Sequence, residues 1–514
     1  MEQVAAVIDE REPTLVFIAV ILTAIFVATL LPGASSVSDI PLVGGEYGGV
    51  EKRKKAYIKN SWELYKKGYE LFRDKAFRLT TQDGDHIILP RHLMDEVRNL
   101  PEDVIDIKKS FDMTNEFKYL AIGTRWQAEF SHHIVKADLT RSLVRITPRL
   151  WDETPRTIHE KLPPCDDWTP VVVYQTLLRI VGIVSGTIFI GPELSHSEDY
   201  LRASIGFTLD FVNAATKLKK WNRRWRWIGQ YFTPEVRELF ANRDKARDFL
   251  RPVLEKRRAA MKAGEEMPDD NLQWMLNKVE EFGLTDNDMA EIQLNLSMAA
   301  IHSTTMSVTL IIYDLVVRPD VIEELREEIR AVLAANGGVM TSHALFEMKL
   351  LDSCMKESQR MNPMNMMRFR RYVAKPVTLS DGTHLPAGCM IETPYAAAIQ
   401  DPALYRNPEK FDAHRFLDLR NGTAEDLLGY KNKELHQLVT VTKDFMHFGW
   451  GRHACPGRFF AANEMKLILV SLLLDYDIRM PDGLAERYAN LAVGYEAFAD
   501  TTKEVLFRRV KKTE

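Results

Sequence analysis

The hydrophobic pattern is uneven along the chain. From Thr14 to Leu31 it reads TLVFIAVILTAIFVATLL, a run with no charge. As a helix it would extend roughly 27 Å, close to the thickness of a hydrocarbon core. It is apolar on every side, which suits a membrane span better than a half-exposed core helix. Pro32-Gly33 ends the run. Upstream lie Glu2, Asp9, Glu10 and Glu12 against Arg11; downstream come Lys52, Arg53, Lys54 and Lys55. That asymmetry places the long C-terminal body on the cytosolic side. An acidic start and a long apolar run argue against a cleaved signal peptide.

Downstream of a Gly/Ser/Pro linker, roughly 33–50, the pattern changes. Ala76–Thr81 and Asp85–Leu89 read as strands. From about Glu102 to Leu351 helical spacing dominates. Thr285–Arg318 reads as one long helix, capped by Thr285 with Asp288 and ended by Pro319. Lys349–Met361 reads as a helix stopped before Pro363. A hairpin is expected near Val377–Ile391, turning at Asp381-Gly382. An amphipathic helix is expected from about Phe459 to Leu474.

Composition narrows the class. The chain has 514 residues and a net charge of -4, which gives no bulk electrostatic case for a nucleic-acid partner. Cys165, Cys354, Cys389 and Cys455 are scattered, with neither metal-ligand spacing nor a disulfide framework. No glycine-rich dinucleotide fingerprint stands in a strand–helix context.

The chemistry concentrates at Cys455, in the run Phe448-Gly449-Trp450-Gly451-Arg452-His453-Ala454-Cys455-Pro456-Gly457-Arg458. Its glycines let the backbone pass close to a flat ligand. The helix after it would point its positive end at the sulfur. The run resembles the haem-binding signature Phe-x-x-Gly-x-Arg-x-Cys-x-Gly of the cytochrome P-450 superfamily, with His453 where the family usually has Arg. A buried free cysteine in a glycine-rich turn is the bland alternative. Two further segments carry the resemblance. Glu357 and Arg360 form the family's Glu-x-x-Arg, and Arg415-Phe416 ends a segment similar to its Phe-x-x-x-Arg-Phe. Ile40-Pro41-Leu42-Val43-Gly44 resembles the proline hinge of microsomal members.

The resemblance implies a mainly α (α+β) fold: one large helical domain with small sheets, behind one transmembrane helix. The expected organisation is a lumenal N-terminus (1–13), an anchor (14–31), a hinge and basic linker (32–55) and a catalytic domain (56–514). It implies haem b on the Cys455 thiolate. By that resemblance, the thiolate would push electron density onto the iron. Glu357, Arg360 and Arg415 would form a structural triad. Phe448, Gly449, Gly457 and His453 would cradle the haem. His132 and Lys136 fall where the family has Trp-x-x-x-Arg, and with Arg370 or Arg371 they are the propionate candidates.

On the long helix, Ala299, Ala300, Ile301, His302, Ser303 and Thr304 align with the family's oxygen-activating stretch. His302 stands in the place of the acid and Ser303 in that of the distal hydroxyl. His302, Ser303 and Thr304 are thus the proton-managing candidates. A His satisfied by a neighbouring helix is the plain alternative for His302. The substrate pocket is expected from Leu296, Ala299, Ala300, Met364, Met367 and Phe498.

Lys136, Arg141, Lys443, Arg452, Arg458 and Lys466 would offer a basic docking face to an NADPH-cytochrome reductase, with cytochrome b5 as a second donor. The segment Lys219-Lys220-Trp221-Asn222-Arg223-Arg224-Trp225-Arg226-Trp227-Ile228 reads as a membrane-interface stretch. An ordinary helix surface is the bland reading, and single-stranded nucleic acid is the least favoured. The expected function is a haem-thiolate monooxygenase of the endoplasmic reticulum membrane. Its substrate would be large and apolar, of the terpenoid type. The fungal style of the motifs, similar to ent-kaurene oxidases, points that way. A haem-thiolate isomerase or peroxygenase and a non-enzymatic electron carrier are the rivals.

Overall fold

The computed structural model describes residues 37–120 and 125–511, together with Val20. The expected anchor, 14–31, lies outside the described residues apart from Val20. Among the described residues one helix is long and apolar enough to cross a membrane, Asp286–Leu315, and it is largely buried in the protein core.

Ten longer helices carry the architecture: α1 Val50–Leu71, α2 Arg125–Ile134, α3 Thr140–Lys161, α4 Val173–Phe189, α5 Glu198–Leu218, α6 Pro234–Ala263, α7 Asp286–Leu315, α8 Pro319–Ala335, α9 Lys349–Met361 and α10 Arg458–Asp475. Helix α1 begins inside the stretch expected as linker, so the basic run Lys52–Lys55 lies on its first turns. A short π-helical segment, Val135–Leu139, joins α2 to α3. Such segments insert a residue and often sit at functional sites.

The strands are β1 Leu42–Val43, β2 Phe77–Thr81, β3 Gly84–Ile88, β4 Ile105–Asp106, β5 Thr169–Val172, β6 Arg368–Val373, β7 Val377–Thr378, β8 His384–Leu385, β9 Met390–Thr393, β10 Tyr476–Arg479, β11 Asn490–Val493, β12 Glu496–Ala499 and β13 Glu504–Arg509. Six form the main sheet, in the order β1-β2-β3-β9-β6-β4. Strands β2 and β3 pair antiparallel with Phe77 opposite Ile88, and β3 runs parallel to β9. The expected hairpin is the small β7-β8 pair, whereas β9 belongs to the main sheet.

Thr285 caps α7. Its hydroxyl accepts from the Asp288 N–H, while the Asp288 carboxylate accepts from the Thr285 N–H, a reciprocal capping box. Both halves of α7 are buried almost all round, as an apolar central helix must be. Helix α10, expected as amphipathic, is instead buried on all sides, with Leu467, Ile468, Leu469 and Val470 at 0 % exposure and Glu464 and Lys466 buried among them. Each such apolar side chain contributes about 1.5–3 kcal/mol of burial. One hydrophobic core joins α3, α4, α7, α9 and α10, so the segment preceding α10 is held rigidly.

A charged cluster lies between α1 and the main sheet. Glu392 accepts from the Tyr65 hydroxyl, from the Arg370 Nε at 3.1 Å, and faces the His86 Nδ1 at 3.3 Å. Burial pushes its carboxyl up, but Arg370 and these bonds outweigh burial and hold it at about 2. The folded value lies below the unfolded one. The stabilisation is therefore complete above the ordinary carboxyl range and lost as pH falls towards 2. A depression of that size is worth about 3 kcal/mol. Denaturant unfolding between pH 5 and pH 2.5 should show a steeper loss of stability in the wild type than in Glu392→Gln, which starts lower and falls less.

Candidate active site

The segment leading into α10 folds back on itself. The Gly449 N–H donates to the Met446 carbonyl and the Cys455 N–H to the Phe448 carbonyl, both at 2.8 Å. Gly449 has φ +76, which only glycine adopts without strain; an added Cβ would meet nothing closer than 3.5 Å. Conformation, not space, demands that glycine. At Gly451 space counts as well, since a Cβ there would lie 2.9 Å from the Arg98 Cγ. Cys455 has an accessible side chain although protein surrounds it on most sides. Burial pushes its thiol up, against the N–H groups of Gly457 and Arg458 and the Arg458 guanidinium. Gly457 caps α10, so the sulfur sits near the positive end of a buried helix. Val135, in the π-helical segment, packs beside Gly457.

Beyond Asn287 in its first turn, helix α7 is exposed in its middle. Ala299 and Ser303, one turn apart, are exposed, and Leu296, Ala300 and Met306 beside them are half-buried. The Ser303 hydroxyl donates to the Ala299 carbonyl at 2.7 Å. Of the three proton-managing candidates only Ser303 faces this opening. Thr304 is buried at 2 % exposure, with no partner for its hydroxyl among the described residues. His302 departs from its expected role. Its Nδ1 meets the Tyr174 hydroxyl at 3.1 Å and its Nε2 the Ile205 carbonyl at 3.0 Å, and burial pushes its pKa down. Consecutive helical residues are turned 100° apart, which sends His302 to α4 and α5 instead.

Helix α9 brings Glu357 and Arg360 together. Arg360 donates to both Glu357 oxygens at 2.8 Å, and the Arg415 Nε adds a third bond at 3.0 Å. The Asp412 N–H donates to the same carboxylate at 3.1 Å. Next to Glu357 in the chain, Lys356 is buried against the Phe416 and Phe445 rings and donates to the Gln437 carbonyl at 2.8 Å; burial pulls it down to about 7. These groups hold the irregular chain that leads to the cysteine turn.

The cationic positions differ from expectation. Arg370 is engaged by Glu392 and lies over the Tyr495 ring, so it belongs to the charged cluster described above. The reason is a bulge in β6 between Arg368 and Arg371, where Phe369 takes φ +55. A bulge re-aims the residues after it, which alternation alone does not anticipate. Arg368 and Arg371 have no carboxylate within ion-pair distance among the described residues, and the Arg368 Nε is buried without a partner. So is the His447 Nδ1. Both arginines flank the cysteine segment: Arg368 acts electrostatically on His447, and Arg371 on His453. Arg368 was not anticipated, and only the bulge could have revealed it. His453 meets Glu102 at 3.0 Å. His132 and Lys136 are exposed at the junction of α2 and the π-helical segment, with no ion pair or hydrogen bond among the described residues.

Two further expectations are corrected. Met367 is buried with Tyr57, Leu64 and Tyr65 in the packing under the sheet, because β6 begins at the next residue and turns it inward. Lys466 is buried and paired with Asp352 at 2.8 Å, since α10 is surrounded by protein; it offers nothing to a surface partner. Met364 stays half-buried, its carbonyl bonded to the Ala497 N–H at 3.0 Å. Phe498 lies in the adjoining β11-β12 hairpin.

An accessible thiol at a helix start, a buried Glu–Arg–Arg scaffold and unpaired cations beside the cysteine turn define a haem-thiolate class of site. Residues 145–491 match the family model Cytochrome P450. The chain is 34% identical over 477 residues to cytochrome P450 monooxygenase braC of Annulohypoxylon truncatum, covering 92% of this chain and 93% of that one. It is 32% identical over 514 residues to cytochrome P450 monooxygenase adrA of Penicillium rubens, covering 97% and 96%. It is 34% identical over 456 residues to cytochrome P450 monooxygenase paxP of Penicillium paxilli, covering 86% and 84%. The chain belongs to the cytochrome P450 family, as a monooxygenase that carries haem b on an axial cysteine thiolate and draws electrons from a redox partner. The donor set fits that group: a thiol receiving backbone N–H groups, and cations without carboxylates for two propionates.

Replacing Arg360 by Ala strands Glu357 and Arg415 in the interior. Loss of one member of a buried pair costs about 3–5 kcal/mol. Purified Arg360→Ala should show a lowered thermal transition and little haem uptake in a carbon monoxide difference spectrum.

Proposed function

We propose that Cys455 is the axial ligand and that the chain hydroxylates, or oxidises further, a large apolar substrate of the terpenoid type. The observation that carries this is the accessible Cys455 thiol in a turn that aims two N–H groups at it, at the start of α10. When bound, haem on a thiolate supplies dioxygen activation for oxygen insertion into a C–H bond. The protein's part is to position and to deliver protons. Ser303 presents a hydroxyl at the exposed part of α7, where it can hold water and pass a proton. Small Ala299 beside it leaves room for a small molecule. Leu296, Ala300, Met364 and Phe498 supply apolar contact, and Met adapts to irregular shapes. Arg368 and Arg371, which lack carboxylate partners among the described residues, and His453 in the turn itself are the candidates for propionate binding.

In this reading residues 14–31 anchor the chain in the endoplasmic reticulum membrane with the catalytic domain, 56–514, on the cytosolic side. An NADPH-cytochrome reductase supplies the electrons, with cytochrome b5 as a second donor. The apolar run supports the anchor. Trp225, Trp227, Tyr231 and Phe232 stand exposed at 46%, 55%, 70% and 67%, beside Arg223, and support a second contact with the lipid surface.

Microsomes carrying the chain and a reductase should convert candidate terpenoids to products that contain oxygen from dioxygen, in an NADPH-dependent reaction read by mass spectrometry. The reduced, carbon monoxide-bound protein should show the thiolate-type Soret band, and Cys455→Ala should lose it; a band that survives the substitution overturns the assignment. Ser303→Ala should keep the band and still consume NADPH, while product per NADPH falls by about tenfold or more.

A further inference from the structure

His302 joins three helices. A carbonyl oxygen only accepts, so the Nε2 facing the Ile205 carbonyl carries the hydrogen and donates it. The Nδ1 is then the bare nitrogen and accepts from the Tyr174 hydroxyl. Both ring nitrogens of the neutral imidazole are thereby used. Ile205 lies in α5, and Tyr174 opens α4 directly after β5.

The α5–α7 seam is packed by Leu201, Phe207 and Phe211 but is not filled throughout. A cavity of about 30 Å³ lies there, lined by Tyr200, Ala203, Ser204, Leu294 and Ser297 among others. Tyr200 of α5 makes a side-chain hydrogen bond to Ser297 of α7, whereas the Thr208 hydroxyl has no hydrogen-bond partner among the described residues. The outer side of α5 exposes Leu209 and Val212, and the chain then runs into the exposed tryptophans at 221–227. Helix α5 is thus held against α7 by apolar packing, by the Tyr200–Ser297 bond at one end and, at the residue next to Ser303, by the His302–Ile205 bond.

We infer that His302 is a positioning residue, whose bond to the Ile205 carbonyl clamps α5 onto α7 and so governs how readily ligands reach the space beside Ala299 and Ser303. This rests on α7 being the helix that faces the haem. The ring acts through geometry and does not itself pass protons. A moving α5 would carry the exposed aromatic segment with it, which couples ligand entry to whatever surface that segment contacts.

The test uses the full-length, haem-loaded chain and clotrimazole, an azole whose nitrogen binds haem iron directly and reports entry whatever the natural substrate. Stopped-flow absorbance should give association and dissociation rates raised together by about three- to tenfold in His302→Leu, the scale of one lost hydrogen bond. His302→Gln retains an N–H at similar reach and should stay within about twofold of wild type. Tyr174→Phe leaves the Ile205 bond in place and should do the same. Unchanged rates in His302→Leu, or Gln behaving as Leu does, overturn the proposal. So does a solvent deuterium isotope effect on turnover that changes in His302→Gln, since it would put the ring in the proton path.

Hydrogen exchange of the α5 amides supplies a readout that needs no haem. It should quicken in His302→Leu and not in His302→Gln; equal protection in both also overturns the clamp. A wild type without the thiolate-type band would sink the catalytic reading and leave this second comparison intact.

Discussion

A single carboxylate with no access to water organises this protein. Glu357 takes two bonds from Arg360, one from Arg415 and one from the Asp412 N–H, and it is 0 % exposed. Two guanidiniums on one carboxylate leave a surplus of donors, and backbone carbonyls of the wrapping chain absorb it: Ile399 for Arg360, Asn407 and Lys410 for Arg415. Desolving three charges is costly unless every donor and acceptor is met. The wrapping chain is therefore fixed as a unit, and an irregular stretch of sequence acquires one conformation. Lys356 extends the hold to the Gln437 carbonyl, 18 residues before Cys455. The Cys455 sulfur is placed by this scaffold, by the rigidity of α10 and by the hydrogen bonds of its own turn.

The distal half is built by a different rule. Helix α7 is apolar nearly all round, which buries it, and its accessible part is defined by where neighbouring helices fail to cover it. Ser303 and Ala299 share that part because four residues make about one turn. The residue at 302 lies a hundred degrees away and meets α4 and α5. Adjacent polar residues on one helix thus divide into one that faces the uncovered part of the helix and one that bonds to the neighbouring helices.

Strand β6 shows how one residue can redirect a site. Three arginines stand at 368, 370 and 371, and simple alternation pairs the first two on one face. The bulge with Phe369 at φ +55 separates them. Arg370 joins Glu392, Tyr65 and His86, while Arg368 and Arg371 are left beside the cysteine segment without carboxylates. A bulky residue at positive φ costs about 1–3 kcal/mol, a strain that persists where the surroundings dictate it.

Much of this was legible in the chain. The capping box at Thr285 and Asp288, the span of α9 and the start of α10 follow from local preferences that a few neighbouring residues satisfy among themselves. So does the meeting of Glu357 with Arg360, because three positions along a helix place two side chains on one face. Arg415 was reached through family resemblance, since its partner lies 58 residues away. What local order could not contain was decided by packing between elements. Met367 turned inward and Lys466 was buried because other parts of the chain arrived beside them. Arg370 found a carboxylate on another strand, and His302 found a carbonyl on another helix. Local sequence fixes a backbone's periodicity and the face each residue occupies, but only the assembled fold determines which partner waits at that face.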